Sequence, residues 1–172
     1  MLPCTSFGSQ RLGFLFKGVV VGGIAERVAE LVQIPSVNPL HAGAKSGDRG
    51  EREISDWLAD HADALGADVV VDEVLDGRCN VYARFEGASD RAVTIDVHLD
   101  TVGVEHMPDD PFDGRIEGGR VYGRGSVDTK PTLAIVLQVM EELQSSGQRP
   151  IPTVNLVGTI SEEGGGLLGA TR

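Results

Sequence analysis

An α/β fold is predicted from three features of the chain: valine-rich runs bounded by Asp, Gly and Asn, stretches whose apolar residues recur at helical spacing, and a strand, helix, strand succession towards the carboxyl end. A strand, a crossover helix and a second strand imply a parallel pair with a right-handed connection, which argues against an all-β or bundle fold. The 172 residues are 41% hydrophobic and 24% charged, the balance of one globular domain with its own core. A formal net charge of −11, spread along the chain, makes nucleic acid and anionic membranes poor partners. Small molecules, metal ions and proteins remain.

The opening MLPCTSFGSQRLGFLFKGVVVGG places Arg11 before an apolar patch, as a secretory signal would, but Lys17 and several glycines interrupt the patch. A cytoplasmic protein is therefore expected, and residues 1–21 form an N-terminal extension that fits no motif. Cys4 and Cys79 are too few for a disulfide framework and are expected to be buried or idle thiols.

From Ile24, the residues Val28, Leu31 and Val32 complete an amphipathic stripe that should end before Pro35. The segment PSVNPLHAGAKSGDRG reads as a loop. A second helix follows, with Ile54, Trp57, Leu58 and Leu65 on one face and Gly66 as its stop. The period then changes: DVVVDEVL (68–75), NVYARFE (80–86) and AVTIDVHL (92–99) read as strands. Gly118 and Gly119 should turn a short hairpin. PTLAIVLQVMEELQSS reads as a helix with Pro131 in its first turn, apolar on nearly every side of its first half and so deeply buried. TVNLVGTI (153–160) is a continuous apolar strand of the kind covered on both faces.

Ligands of open α/β sheets gather at the carboxyl ends of the strands. Those ends carry His98 and Asp100 after one strand, and Glu162 and Glu163 after another. Asp128 lies between a glycine-rich turn and the buried helix. Taken singly, each has a plain structural alternative: a histidine satisfied by its aspartate, a helix N-cap, a solvated acidic loop. Together, one imidazole and several carboxylates at one sheet edge suit zinc, cobalt or manganese. Gly164, Gly166 and Gly169 spell GxGxxG after a strand, the mark of a dinucleotide-binding oxidoreductase. The two glutamates just before them would repel a pyrophosphate, which makes that reading the weakest.

In this order, LVQIPSVNP, HLDTV, DPFDGRIEGGRVYGRGSVDTK and SEEGGGLLGA resemble the amino-terminal half of the zinc amidohydrolases that include acetylornithine deacetylase, succinyl-diaminopimelate desuccinylase, aminoacylase and glutamate carboxypeptidase. The resemblance covers residues 22–172. It implies a three-layer zinc-peptidase-like fold with a mixed, largely parallel central sheet, here incomplete, and a hydrolase of the amide bond of N-acyl amino acids or small peptides. It also implies two zinc ions in the complete site, with Co²⁺ or Mn²⁺ as substitutes, and an enzyme able to form homodimers.

By position, the resemblance makes His98 a ligand, Asp100 the residue that orients its imidazole, and Asp128 a bridge between the metals, commonly followed by a cis peptide. Glu162 becomes the general base and Glu163 a ligand of the second metal. Val97 and Pro131 stand where the family usually has glycine, and Ser161 where it usually has an acid; none of these removes a ligand. His41, His61 and His106 match no family ligand and are expected to be surface or helix residues. A dinuclear site takes about five protein groups, and the remaining ligands, the lid or dimerisation domain and the rest of the sheet would lie beyond Arg172. A second reading follows: a fragment that binds metal weakly, or acts only with a partner.

Overall fold

The computed structural model describes residues 23–46 and 50–172. The expected N-terminal extension and Cys4 lie outside the described residues. Helix α1 spans Ile24–Val32, α2 Arg52–Ala64 and α3 Lys130–Ser145. Strands β1 (Asp68–Leu75), β2 (Arg78–Phe85), β3 (Ala92–His98) and β6 (Thr153–Thr159) form the main sheet, and β4 (Ile116–Glu117) and β5 (Arg120–Val121) a small hairpin. At the turn of that hairpin Gly118 and Gly119 have φ of 57° and 74°, the left-handed conformation a two-residue turn demands. The loop expected after α1 holds a 3-10 turn, Pro39–His41, and Val37 bridges to Thr101. That contact lays the loop against the carboxyl end of β3.

The main sheet has the order β1-β2-β6-β3. Pairs β1–β2 and β2–β6 are antiparallel, and β3–β6 is parallel. The sheet is mixed as expected, but the expectation of a largely parallel one is corrected: β6 inserts between β2 and β3, running against the first and with the second. Residues of one parity share a face, since side chains alternate along a strand. Val81, Ala83, Phe85, Val97, Val154 and Leu156 are buried on that face against Leu31, Ile54, Leu58, Leu133 and Leu137 from the three helices. Each buried valine, leucine, isoleucine or phenylalanine among them contributes roughly 1.5–3 kcal/mol by leaving water.

The opposite face carries Val70, Arg84, Thr94 and Asp96, all exposed. Among the described residues, then, the expected three layers are two, with helices on one face only, and β6 has Asn155 and Val157 half-buried on its open side. The expectation that α3 is deeply buried all round is corrected for the same reason: Leu133, Ala134, Leu137 and Met140 face the core, while Ile135 and Val139 are exposed. Cys79 is buried as expected, yet it is disulfide-bonded and not an idle thiol. No helix among the described residues is long and apolar enough to cross a membrane.

His61, on α2, stacks on Trp57 with ring centroids 3.7 Å apart, and its Nδ1–H donates to the Trp57 carbonyl at 3.1 Å. Burial is the main cause that holds its pKa below the ordinary value of 6.5, against the opposing pull of that bond. Because the folded chain resists protonation here, the stability is full above that ordinary value and declines as pH falls through it. His61→Gln is expected to flatten the dependence of the urea midpoint on pH between about pH 7 and pH 5. An unchanged slope would show that His61 does not contribute it.

Candidate metal centre

The parallel pairing sets His98 opposite Thr159, so the ends of β3 and β6 meet at one edge. The chain leaves β3 through Leu99 and Asp100, and leaves β6 through Ile160 and Ser161 into the two glutamates. Asp128 arrives from the turn before α3, where Thr129 is the N-cap and the peptide between them is cis. Asp128 is therefore not the cap of α3, the structural alternative open to it in the sequence. Its carboxylate is turned instead to the histidine.

His98 Nδ1 lies 3.0 Å from the backbone carbonyl of Asp100 and Nε2 lies 3.0 Å from Asp128 Oδ1. A carbonyl can only accept, so Nδ1 carries the proton and Nε2 is the nitrogen aimed at the carboxylates. Glu162 Oε2 is 3.9 Å from Nε2. Donor atoms of His98, Glu162 and Glu163 all lie within 4.8 Å of one another, a spacing that a metal ion could bridge. Asp128 contacts the imidazole but is not part of that three-way group. Asp96, Thr159 and Leu167 border an adjoining cavity of about 160 Å³ that reaches His98 and Glu162.

Asp100 is fully buried and holds this arrangement together. Its Oδ2 accepts from Asn38 Nδ2 at 2.7 Å and from the Glu163 amide at 2.9 Å, and its Oδ1 accepts from the Glu162 amide at 3.1 Å. Burial alone would push its carboxyl up, but His98, Asn38 and the two amides outweigh it and hold the carboxyl below the usual value. The same carboxylate is the largest cause that raises His98 to about 9, against the opposing effect of burial. Oδ1 stands 3.6 Å from Nδ1, close enough for the carboxylate to favour the protonated ring. Glu163 is raised by burial first, with the charges of Asp128, Glu162 and Asp100 adding to it.

Four carboxylates around one imidazole form a cluster that lacks cationic charge. A protonated imidazole would supply part of it; a divalent ion would supply more and would take the Nε2 lone pair. One nitrogen and several carboxylate oxygens fit zinc, cobalt or manganese, and no thiolate is at hand among the described residues for a softer metal. After β6 the chain forms only turns as far as Arg172. Within the described residues the glycines of the GxGxxG motif lie in these turns, directly after two carboxylates that would repel a pyrophosphate. Gly169 instead packs where a Cβ would stand 2.5 Å from the Ile160 backbone, closing the acidic loop on itself.

All the residues anticipated from the sequence meet at this edge. Asn38 was not anticipated: a lone asparagine in a loop carries no spacing signal. His41, expected on the surface, is exposed, but its Nε2–H donates to the Glu163 carbonyl at 2.9 Å, beside the centre. His61 lies on α2 and His106 is exposed on a loop.

Residues 94–172 match the model of Peptidase family M20/M25/M40. A succinyl-diaminopimelate desuccinylase of Methylocella silvestris is 31% identical over 150 residues, which is 86% of this chain and 37% of that protein. The chain thus spans little more than a third of that relative's length. Among solved structures, human carnosine dipeptidase 1 superposes with a TM-score of 0.68 at 20% identity, over 83% of this chain and 32% of its own. An M20 family metallo-carboxypeptidase from Sulfolobus solfataricus gives 0.65 at 23% identity, over 80% and 30%. At such identities the two structures speak for the fold alone.

Proposed function

We infer that this chain, a member of Peptidase family M20/M25/M40 through residues 94–172, carries in residues 22–172 the amino-terminal portion of the catalytic domain of a metal-dependent hydrolase. The bond cleaved is the amide of an N-acyl amino acid or small peptide, in the manner of a deacetylase, desuccinylase or carboxypeptidase. One observation carries the reading: a single imidazole nitrogen faces the carboxylates of Asp128, Glu162 and Glu163 at one sheet edge. The name of the Methylocella silvestris relative, a desuccinylase, supports the substrate class.

His98 Nε2, Asp128 and Glu163 would hold the cations, two zinc ions in the complete site. When bound, such ions act as Lewis acids that polarise the amide carbonyl and acidify water. Asp100 fixes the imidazole and the loop, keeping Nε2 turned to the site. Glu162, half exposed beside the cavity, would take a proton from the attacking water at its carboxylate and pass it to the amide nitrogen, so that the C–N bond breaks as the water oxygen bonds to the carbonyl carbon. His41 steadies Glu163 through its backbone.

Calorimetric titration of the metal-free chain with zinc chloride tests the assignment. His98→Ala is expected to weaken zinc binding by more than about 100-fold, beyond the 10- to 100-fold typical of residues that only orient a ligand. Equal affinity in the variant would overturn the metal site. A second reading, that these residues by themselves bind metal weakly or act only with a partner, is favoured by the donor group found among the described residues, His98, Glu162 and Glu163, which falls short of the roughly five protein groups of a dinuclear site. Turnover assays on N-succinyl and N-acetyl amino acids separate the two.

A further inference from the structure

Ser161, directly before the two glutamates, has a φ of 67°, a left-handed conformation that residues with a side chain rarely adopt. The local sequence does not require it, since glycines begin only at 164. What surrounds it is a run of acceptors. The amides of residues 160 to 163 each donate to a buried side-chain oxygen from elsewhere in the chain: Ile160 to Asn80 Oδ1 at 3.1 Å, Ser161 to Glu51 Oε1 at 3.2 Å, and Glu162 and Glu163 to the Asp100 carboxylate at 3.1 and 2.9 Å. Asn80 also donates through Nδ2 to the Gly169 carbonyl at 2.9 Å, tying the far end of the loop to the same strand.

Asp100 belongs to the centre already described, but Glu51 does not. It sits before α2, is fully buried, and never reaches the carboxylate cluster. Arg78 at the start of β2 neutralises it with a two-pronged contact, Nε to Oε2 at 2.6 Å and Nη2 to Oε1. A buried carboxylate with its own counter-charge and one oxygen given to a backbone amide is costly to build if only packing is at stake. An apolar pair would fill the space as well.

We propose that Glu51, charge-balanced by Arg78, is a positioning residue: by holding the Ser161 amide it fixes the left-handed turn that aims Glu162 and Glu163 at His98. The proposal rests on the metal-centre reading for its functional consequence, and on the amide contacts alone for its structural one. The strained turn and the four captured amides belong together, because a residue held at positive φ persists only where its surroundings over-determine it. A loop freed at Ser161 could relax to negative φ, and the side chains after it would turn away from the site.

The test uses the 172-residue chain with Glu51→Met and Arg78→Met combined, which removes both buried charges at similar volume and leaves the Ser161 amide without its acceptor. Glu51→Gln, which keeps an oxygen in place, is the conservative companion. Amide hydrogen exchange followed by NMR is expected to quicken at least 10-fold at residues 161 to 163 in the Met pair, with the β2–β6 ladder unchanged, and to return towards the original rate in Glu51→Gln. Zinc affinity is expected to fall by about 10- to 100-fold in the Met pair, the loss typical of orienting residues. Unchanged exchange at Ser161 overturns the proposal, as does quickened exchange throughout the sheet, which would mark a merely structural role. Quickened local exchange with no zinc binding even in the parent chain would sink the metal-centre reading and leave Glu51's hold on the loop standing.

Discussion

Glu162→Gln is expected to lower hydrolysis of an N-acyl amino acid by about 10²- to 10⁴-fold, the usual contribution of a positioned general base. The comparison is made in a polypeptide that carries these residues and shows turnover. The amide side chain matches the carboxylate in size but has no oxygen basic enough to take the proton. Its backbone would stay in place, since the Glu162 amide is held by Asp100 and not by its own side chain. Zinc affinity should therefore stay within a few-fold of the parent, whereas Glu163→Gln should lower it. Steady-state kinetics with zinc analysis of the same samples checks both halves. Undiminished turnover would remove Glu162 from its role, and loss of zinc in Glu162→Gln would make it a ligand.

Asp100→Ala is expected to cost the most stability of any single change at the centre. Asp100 is fully buried, and its removal leaves Asn38 Nδ2 and the amides of Glu162 and Glu163 without their acceptor. A buried donor left unsatisfied costs roughly 1–3 kcal/mol, so three of them should cost at least about 3 kcal/mol together. That is a large share of the ~5–15 kcal/mol that holds an average domain folded. Asp100→Asn keeps one accepting oxygen and should lose less. Urea unfolding of the metal-free chain gives the comparison directly. A loss of under about 1 kcal/mol in Asp100→Ala, the size of an ordinary substitution, would mean that water replaces the carboxylate without difficulty.

The groups of the centre and the residues that hold them differ in how far the sequence reveals them. Glu162, Glu163, His98, Asp100 and Asp128 stand in short segments whose order carries a signal, and the parallel pairing of β3 with β6 brings them to one edge as expected. The residues that hold them do not. Asn38, Glu51 and Asn80 are single polar residues with no periodicity around them, and each matters because it is buried with a polar atom turned to a group far along the chain: Asn38 to the Asp100 carboxylate, Glu51 to the Ser161 amide and Asn80 to the Gly169 carbonyl. Lys130 is similar: buried, its Nζ donates to the carbonyls of Leu31 and Ile34 at 2.8 and 2.7 Å, locking the end of α1 to the turn that bears Asp128. Burial alone would bring its pKa down to about 7, while those two acceptors favour the charged form.

Local spacing determined the helices, the glycine turn at 118–119 and the set of acidic and imidazole groups, because these depend on residues a few positions apart. Which strand lies between β2 and β3, which face of α3 meets the core, and which side chains hold the Ser161 turn were decided only when the chain folded. Those outcomes depend on long-range pairing and on desolvation, and an isolated polar residue gives no sign of either until its neighbours in space exclude the water that would otherwise satisfy it.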